Sequence, residues 1–377
     1  MIEPAAFFEA LKRHDLSFFT GVPDSLLKDL CAYVTDHVPA DHHVITANEG
    51  SAVALAAGYH LATNRIPVVY LQNSGLGNAI NPLLSLADPA VYAFPMVLVI
   101  GWRGEPGVKD EPQHVAQGQA TETLLRALKV PFAVVAGHSD PDEVVGRARD
   151  SLRRNPRPHA LLVRRDTFAP YAMASGAPDG FELTRPQAVE AVLEATGPEC
   201  SVVSTTGMTS REVFAFRERR GDGHARDFLT VGSMGHCSQI ALGIAKARPD
   251  RRVVCLDGDG AVIMHMGSLA IIGTQGPANL LHVVINNGAH DSVGGQPTAG
   301  RLIDLRLIAN GCGYRHARLV TTKLELTEAT TTLMAAPGPS LLEIRVRSDP
   351  RTDAGRPTTT PLDNKRAFMR ALGSDVR

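Results

Sequence analysis

VVCLDGDG at residues 253–260 and LLHVVINN at residues 280–287 are the two stretches that decide the fold. Each is a run of apolar and β-branched residues, typical of a buried strand, that ends in polar residues. Because a helical stretch separates them, the pair predicts a βαβ unit in a parallel sheet. Neighbouring parallel strands end at the same edge of a sheet, so Asp259 and Asn287 are predicted to converge there.

A carboxylate and an amide oxygen at one point form a hard-oxygen ligand set. Mg²⁺ prefers such ligands and usually takes its remaining ones from water and substrate phosphate oxygens. The adjoining Gly258 and Gly260 permit tight turns, and the backbone amides of Gly260 and Ala261 open the following helix. The motif therefore predicts a site for Mg²⁺ and a diphosphate.

Outward from this motif, strand-like runs alternate with helical stretches along the whole chain, which predicts an α/β fold. A turn-rich segment between Phe168 and Glu182 predicts a linker, and Thr184 before Arg185-Pro186 predicts a helix N-terminus. We therefore expect a first domain at 1–167, a linker at 168–183 and a second domain at 184–377. Each domain is expected to hold an open parallel sheet. The predicted strands are 18–22, 44–47, 67–71, 96–100, 132–135, 160–163, 201–204, 228–231, 252–256, 280–286 and 341–346.

Composition narrows the class of protein. The 377 residues are 44% hydrophobic and 20% charged with a net charge of −1, which is typical of a soluble globular protein. Without a basic field, binding to nucleic acid or to a membrane surface is not expected. The five cysteines are widely spaced, so neither zinc nor a redox pair is indicated. No signal peptide or membrane-length apolar run is visible, which favours a cytoplasmic location.

Gly-Asp-Gly followed by Asn-Asn at this spacing resembles the thiamine diphosphate enzyme family. The resemblance implies that Asp259, Asn287 and the backbone oxygen of Ala289 bind Mg²⁺. It also implies a pyrimidine-binding first domain and a diphosphate-binding second domain.

Two further stretches match the cofactor-binding pattern of that family. Gly232-Ser233-Met234 resembles the turn whose glycine carbonyl receives the aminopyrimidine amine and whose apolar side chain bends the cofactor. Thr206, near the start of the same domain, is a further cofactor-binding candidate. Glu49 stands after the predicted strand 44–47, where the family has a glutamate that hydrogen-bonds the ring nitrogen of the aminopyrimidine. Glu49 is thus expected to be both cofactor-binding and catalytic.

A narrower resemblance is to the phosphonopyruvate and sulfopyruvate decarboxylases. It depends on QNSGLGN at 72–78, GWRG at 101–104, DEPQH at 110–114 and TGMTSRE at 206–212, and it is consistent with the absence of a middle domain. It implies non-oxidative decarboxylation of 3-phosphonopyruvate to phosphonoacetaldehyde and CO₂. Sulfopyruvate decarboxylation is the alternative within the group, and carboligation is a more distant one. A catalytically idle, regulatory cofactor-binding protein is the alternative from another class.

The same resemblance supplies candidates for proton handling and substrate binding. Val293 stands where pyruvate decarboxylases have an acidic residue, so the proton donors are expected elsewhere, and the catalytic candidates are Asp24, His114 and His290. A dianionic substrate must be met by local cations and donors. The candidate substrate-binding residues are Ser25, Asn73, Arg103, Lys109 and Arg356.

The family also implies an oligomer. In thiamine diphosphate enzymes the cofactor bridges the first domain of one subunit and the second domain of another. A homodimer or homotetramer that binds a small 2-oxoacid is therefore expected.

Overall fold

The computed structural model describes residues 1–174, 180–348 and 354–374. The described residues group into two compact units: 1–174 with 292–296, and 180–291 with 297–348 and 354–374. Residues 175–179 of the predicted linker, which include Ser175, Gly176 and Pro178, lie outside the described residues.

The first unit alternates six strands with six helices. They are α1 Pro4–Arg13, β1 Phe19–Gly21, α2 Lys28–His37, β2 His43–Ile45, α3 Glu49–Thr63, β3 Val68–Gln72, α4 Leu76–Ser85, β4 Val97–Gly101, α5 Pro112–Ala127, β5 Phe132–Val135, α6 Pro141–Arg154 and β6 His159–Val163. A short 3₁₀ helix, Asn73–Gly75, joins β3 to α4.

The second unit repeats this alternation. Its elements are α7 Arg185–Thr196, β7 Ser201–Ser204, α8 Met208–Arg220, β8 Asp227–Leu229, α9 Cys237–Ala247, β9 Val253–Gly258, α10 Asp259–Met264, α11 Gly267–Gln275, β10 Leu280–Asn286, α12 Leu305–Gly311, β11 His316–Val320, α13 Lys323–Ala335, β12 Ser340–Arg345 and α14 Pro361–Ala371. As predicted, Thr184 caps α7, and its exchange of hydrogen bonds with Gln187 forms a capping box.

Both sheets are parallel and share one strand order. The first runs β2-β1-β3-β4-β6-β5 and the second β8-β7-β9-β10-β12-β11, which is the same order when the strands of each unit are counted from one to six. In each sheet the first and third strands lie side by side. From the first strand the chain continues toward one edge of the sheet, and from the third strand it continues toward the other edge. Such a switch point is where open α/β sheets bind ligands, beyond the carboxyl ends of the strands.

The sheets are buried on both faces. In β3, Val68 and Tyr70 pack into one apolar cluster while Val69 and Leu71 pack into another, and β9 divides its residues in the same way. Helices covering both faces explain the continuous apolar runs that identified the strands. The prediction of two open parallel α/β sheets is confirmed.

One strand was not predicted. In β11 only Ala317 and Val320 are buried, because this strand lies at the sheet edge with Arg318 exposed, so its sequence has no continuous apolar run. The predicted strand 228–231 was also too long, since β8 ends at Leu229 and Val231 is 42% exposed. None of the helices in the described ranges is long and apolar enough to cross a membrane.

Candidate cofactor and active site

Glu49 is the first residue of α3 and is buried, with 5% of its surface exposed. Asn48 caps the helix by accepting a hydrogen bond from the Ser51 amide, which fixes the turn that carries Glu49. Burial raises the pKa of the Glu49 carboxyl, and a 2.7 Å hydrogen bond from Asn78 Nδ2 partly opposes that shift. The side chain is thus an acid whose proton is retained to higher pH than usual.

Gly75 allows the Glu49 carboxyl to occupy its position. A Cβ atom at Gly75 would lie 2.1 Å from Glu49 Oε1 and 2.4 Å from Cδ. The 3₁₀ helix 73–75 therefore approaches α3 more closely than any other residue type permits. This explains the glycine in the QNSGLGN stretch.

Asp24 follows β1 and is completely buried. Its Oδ2 accepts hydrogen bonds from the amides of Leu26 and Leu27, and its Oδ1 accepts one from Gln72 at the end of β3. Burial raises the pKa of Asp24, while these hydrogen bonds oppose the shift. Asp24 and Gln72 thus meet at the switch point of the first sheet.

Arg103 follows β4 and is held on both sides. Its Nε donates to Asp110 Oδ2 at 2.8 Å, its Nη2 donates to Asp110 Oδ1, and its Nη1 donates to Ser25 Oγ at 2.7 Å. The backbone of Arg103 exchanges hydrogen bonds with the Asn73 side chain. The structure therefore brings Ser25, Asn73 and Arg103 together, with Asp110 neutralising the guanidinium.

The other first-unit candidates differ in exposure. His114, in the first turn of α5, is buried, and its Nδ1 has no hydrogen-bond partner among the described residues. Burial and the neighbouring Arg103 lower the pKa of His114, so the ring is neutral at physiological pH. Lys109 is exposed, and its carbonyl oxygen accepts a hydrogen bond from Arg165.

In the second unit, Asp259 and Asn287 leave adjacent strands. Gly258 in β9 pairs with Ile285 in β10, so both residues emerge at the same sheet edge, as predicted. Asp259 is 2% exposed and Asn287 is 9% exposed. Their predicted roles as metal ligands are supported by this placement but rest on the family resemblance.

The surroundings of Asp259 are suited to a bound cation. Burial raises the pKa of Asp259 to about 6, although the Thr298 hydroxyl donates a hydrogen bond to Oδ2. A divalent cation would stabilise the ionised form, and the carboxylate, amide and backbone oxygens here are the ligands that Mg²⁺ prefers. The residues present therefore fit this metal.

The turn 232–235 has an unusual backbone. Gly232 and Ser233 have φ angles of 68° and 47°, and the Gly232 amide donates to Thr206 Oγ1 at 2.9 Å. A positive φ at serine is uncommon and suggests that surrounding structure holds the turn in place. Met234 is half-buried and belongs to none of the apolar clusters of the described residues, so it is not an ordinary core residue.

The last candidates lie in loops. A Cβ at Gly260 would lie 3.1 Å from the His290 ring, and burial lowers the pKa of His290 to about 4. Ala289 forms a bridge with Pro297, which fixes its backbone. Arg356 is exposed and belongs to the second unit.

A buried polar cluster lies beneath the Gly258 turn. Asp257 Oδ1 accepts from the Gly258 amide at 2.9 Å, and its Oδ2 lies 3.3 Å from His282 Nε2. Cys237 and Cys255 are 3.8 Å apart at Sγ, and each has a sulfur within 4.8 Å of an Asp257 oxygen. The wide spacing of these cysteines in the sequence did not predict that they would meet.

Sequence reasoning missed several side chains that contact the candidates. These are Gln72, Asn78, Asp110, Asp291 and Thr298, and Arg185 was missed as well, although it contacts Asp291 rather than a candidate. Gln72, Asn78 and Asp110 stand inside the quoted motifs, so their position was a usable signal, whereas Arg185 is about 100 residues from its partner Asp291. No local pattern can predict that pairing.

The comparisons with known proteins agree with this geometry. Residues 4–124 match the family described as thiamine pyrophosphate enzyme, N-terminal TPP binding domain, and residues 205–344 match the corresponding C-terminal TPP binding domain. The chain belongs to the thiamine pyrophosphate enzymes.

Within that family, the chain is similar to phosphonopyruvate decarboxylases. It is 36% identical to the one from Streptomyces viridochromogenes over 98% of this chain and 94% of the relative, and 35% identical to the one from Streptomyces hygroscopicus over 98% and 93%. It is 26% identical to the sulfopyruvate decarboxylase of Methanosarcina acetivorans over 97% of this chain and 96% of the relative.

Proposed function

We propose that this protein decarboxylates 3-phosphonopyruvate to phosphonoacetaldehyde and CO₂, using thiamine diphosphate and Mg²⁺. The observation that carries the proposal is the 36% identity with a phosphonopyruvate decarboxylase over 98% of the chain. The buried Glu49 and the paired emergence of Asp259 and Asn287 support it independently. The presence of Glu49, Asp259 and Asn287 argues against a catalytically idle, regulatory protein, because such a protein would have no need to retain all three residues.

The two units have different proposed tasks. Residues 1–167 bind the pyrimidine and residues 184–377 bind the diphosphate, with 168–183 as the linker. Thiamine diphosphate supplies the electron sink for the bond that breaks when CO₂ leaves. Glu49 shares a proton with the ring nitrogen of the aminopyrimidine, and its burial favours this role because the carboxyl retains its proton to higher pH than usual.

The second unit holds the diphosphate end of the cofactor. Asp259, Asn287 and the Ala289 carbonyl bind Mg²⁺, and the amides of Gly260 and Ala261 face phosphate oxygens. The Gly232 carbonyl would accept a hydrogen bond from the aminopyrimidine amine, Met234 would pack against the cofactor, and Thr206 and Ser233 complete the turn. The hydrogen bond from the Gly232 amide to Thr206 supports this role because it fixes the turn.

On the substrate side, the first unit supplies most of the polar groups. Ser25 and Arg103 form one connected pair, braced by Asn73, and we propose this pair as the first contact for the phosphonate. Asp110 neutralises the positive charge of Arg103. A further cation, Lys109 or Arg356, is therefore needed to balance the charge of a dianionic substrate. Asp24, His114 and His290 are the proposed proton-handling residues.

Sulfopyruvate is the second candidate substrate because of the similarity to a sulfopyruvate decarboxylase over nearly the whole chain. The test compares kcat/KM for phosphonopyruvate, sulfopyruvate and pyruvate at equal cofactor and Mg²⁺. We expect phosphonopyruvate to be preferred by at least tenfold. A preference for sulfopyruvate or pyruvate would leave the cofactor assignment intact and overturn the substrate assignment.

A further inference from the structure

The orientation of the Asn287 amide is fixed by one neighbour. Asn287 Nδ2 donates to Asp291 Oδ2 at 2.6 Å. An ionised carboxylate can only accept hydrogen bonds, so the nitrogen of the amide must face Asp291 and the oxygen must face away. Only the oxygen can bind Mg²⁺, and it is this atom that faces the Ala289 amide, 3.4 Å away.

Asp291 is itself held by residues from distant parts of the chain. Arg185 Nη1, at the start of α7, donates to the same Oδ2 at 2.8 Å, and Ser348 Oγ donates to Oδ1 at 2.9 Å. Arg185 Nε in turn donates to both oxygens of Glu212 in α8, at 2.9 and 3.2 Å. The side chains of Arg185, Glu212 and Asp291 are only 8%, 4% and 4% exposed.

Two features of this network favour a cation at Asn287. Its connections restrict the Asp291 carboxylate, so the amide cannot flip without losing a short hydrogen bond. The network also contains two carboxylates, those of Asp291 and Glu212, and one guanidinium, that of Arg185. Its formal charge is therefore −1, and it lies next to the Asn287 amide. A buried excess of negative charge stabilises a nearby divalent cation.

We propose that Asp291, held by Arg185, which Glu212 holds in turn, is a positioning residue that presents the Asn287 amide oxygen to Mg²⁺. This inference rests on the proposed role of Asn287 as a metal ligand. Residues that orient ligands in this way typically contribute 10- to 100-fold to metal affinity. A purely structural ion pair would contribute to stability without that effect.

The second unit offers a matched structural control. Arg217 donates from Nε and Nη2 to the two oxygens of Asp227 at 3.1 and 3.2 Å, and these side chains are 3% and 1% exposed. The pair resembles Arg185–Asp291 in chemistry and burial. Within the part of the chain that the structure describes, neither Arg217 nor Asp227 hydrogen-bonds Asp259, Asn287 or Ala289.

The experiment measures binding of Mn²⁺, as a spectroscopic substitute for Mg²⁺, to the full chain with thiamine diphosphate present. Free Mn²⁺ is followed by electron paramagnetic resonance for the wild type, Asp291→Asn, Asp291→Ala, Asp227→Asn and Asn287→Ala. We expect both Asp291 variants to raise the Mn²⁺ Kd at least tenfold, with turnover recovering as the metal is increased. Asp227→Asn should lower the melting temperature but keep the Kd within about twofold of wild type.

The outcomes separate this inference from the proposed function. Suppose that Asn287→Ala weakens Mn²⁺ binding while neither Asp291 variant raises the Mn²⁺ Kd more than the Asp227→Asn control does. In that case the positioning role is wrong and the metal site stands. If Asn287→Ala binds Mn²⁺ like the wild type, both the ligand assignment and the positioning role fail. Should Asp291→Ala not fold, Asp291→Asn decides the question, because it keeps the shape of the side chain.

Discussion

Glu49 illustrates how one residue acquires an unusual property from its surroundings. A glutamate in the first turn of a helix is normally solvated and stabilised in its ionised form by the helix dipole. Here α4 and the 3₁₀ helix cover it, and the side-chain hydrogen bond from Asn78 does not offset the loss of water. The result is a carboxyl group suited to holding a proton.

Replacing Glu49 by Gln should leave cofactor binding nearly intact and reduce turnover by about 100-fold or more. The amide keeps the shape and the hydrogen bond to Asn78 but cannot share a proton, and acid–base groups typically contribute 10²- to 10⁴-fold. Steady-state decarboxylation and cofactor titration measure the two effects separately. Turnover within threefold of wild type would remove Glu49 from the mechanism.

Glu49→Gln should also change how the free energy of unfolding depends on pH. Because burial raises the Glu49 pKa, the folded state binds this proton more tightly than the unfolded chain does. Its contribution to stability is therefore present below the ordinary glutamate pKa of about 4.3 and is lost as pH rises through the folded-state pKa. Without cofactor, the stability of Glu49→Gln relative to wild type should therefore increase as pH rises from about 4.3 through the folded-state pKa of Glu49. Melting temperatures that differ by a constant amount over this range would contradict the raised pKa.

At the scale of elements, the approach of the 3₁₀ helix 73–75 to α3 depends on Gly75. Its φ and ψ of −79° and −8° are allowed to any residue, so only the contact with Glu49 requires glycine. Gly77 in α4 provides the comparison, because a Cβ there would meet nothing within 4 Å.

Gly75→Ala should therefore lower turnover at least tenfold by displacing Glu49 and should destabilise the fold by about 1–3 kcal/mol. Gly77→Ala should leave turnover unchanged and be neutral or slightly stabilising, since alanine favours a helix. Turnover and chemical unfolding of both variants check this pair of expectations. Equal effects of the two substitutions would show that the close approach at Gly75 does not matter.

The helices and strands also show how much of the fold could be predicted from the sequence. Strands buried on both faces, such as β3, β4 and β10, have continuous apolar runs and were predicted within one or two residues. The edge strand β11 was not predicted, because only two of its residues are buried and they are not adjacent in sequence. Asp259 and Asn287 were predicted to converge because strand order alone places them together, whereas the Arg185–Asp291 pairing depends on packing among α7, α8 and a loop.

At the scale of the whole molecule, the candidate residues are divided between the two units, with Glu49 in the first and Asp259 in the second. We propose that a homodimer is the smallest active assembly, with the cofactor bound between subunits, and that a homotetramer is compatible with it. Light scattering of the active protein should give the mass of a dimer or a larger even-numbered assembly. Specific activity should fall on dilution through the dissociation range, and a monomer with full specific activity would refute the proposal.

The central claim is that this chain is a thiamine diphosphate- and Mg²⁺-dependent phosphonopyruvate decarboxylase. It is tested most directly by following phosphonopyruvate by ³¹P nuclear magnetic resonance with purified protein, with and without each of thiamine diphosphate and Mg²⁺. We predict that the substrate signal is replaced by that of phosphonoacetaldehyde, with equimolar CO₂ release, only when protein, cofactor and metal are all present. An unchanged substrate signal in the complete mixture, or equal conversion without the cofactor, would contradict the claim.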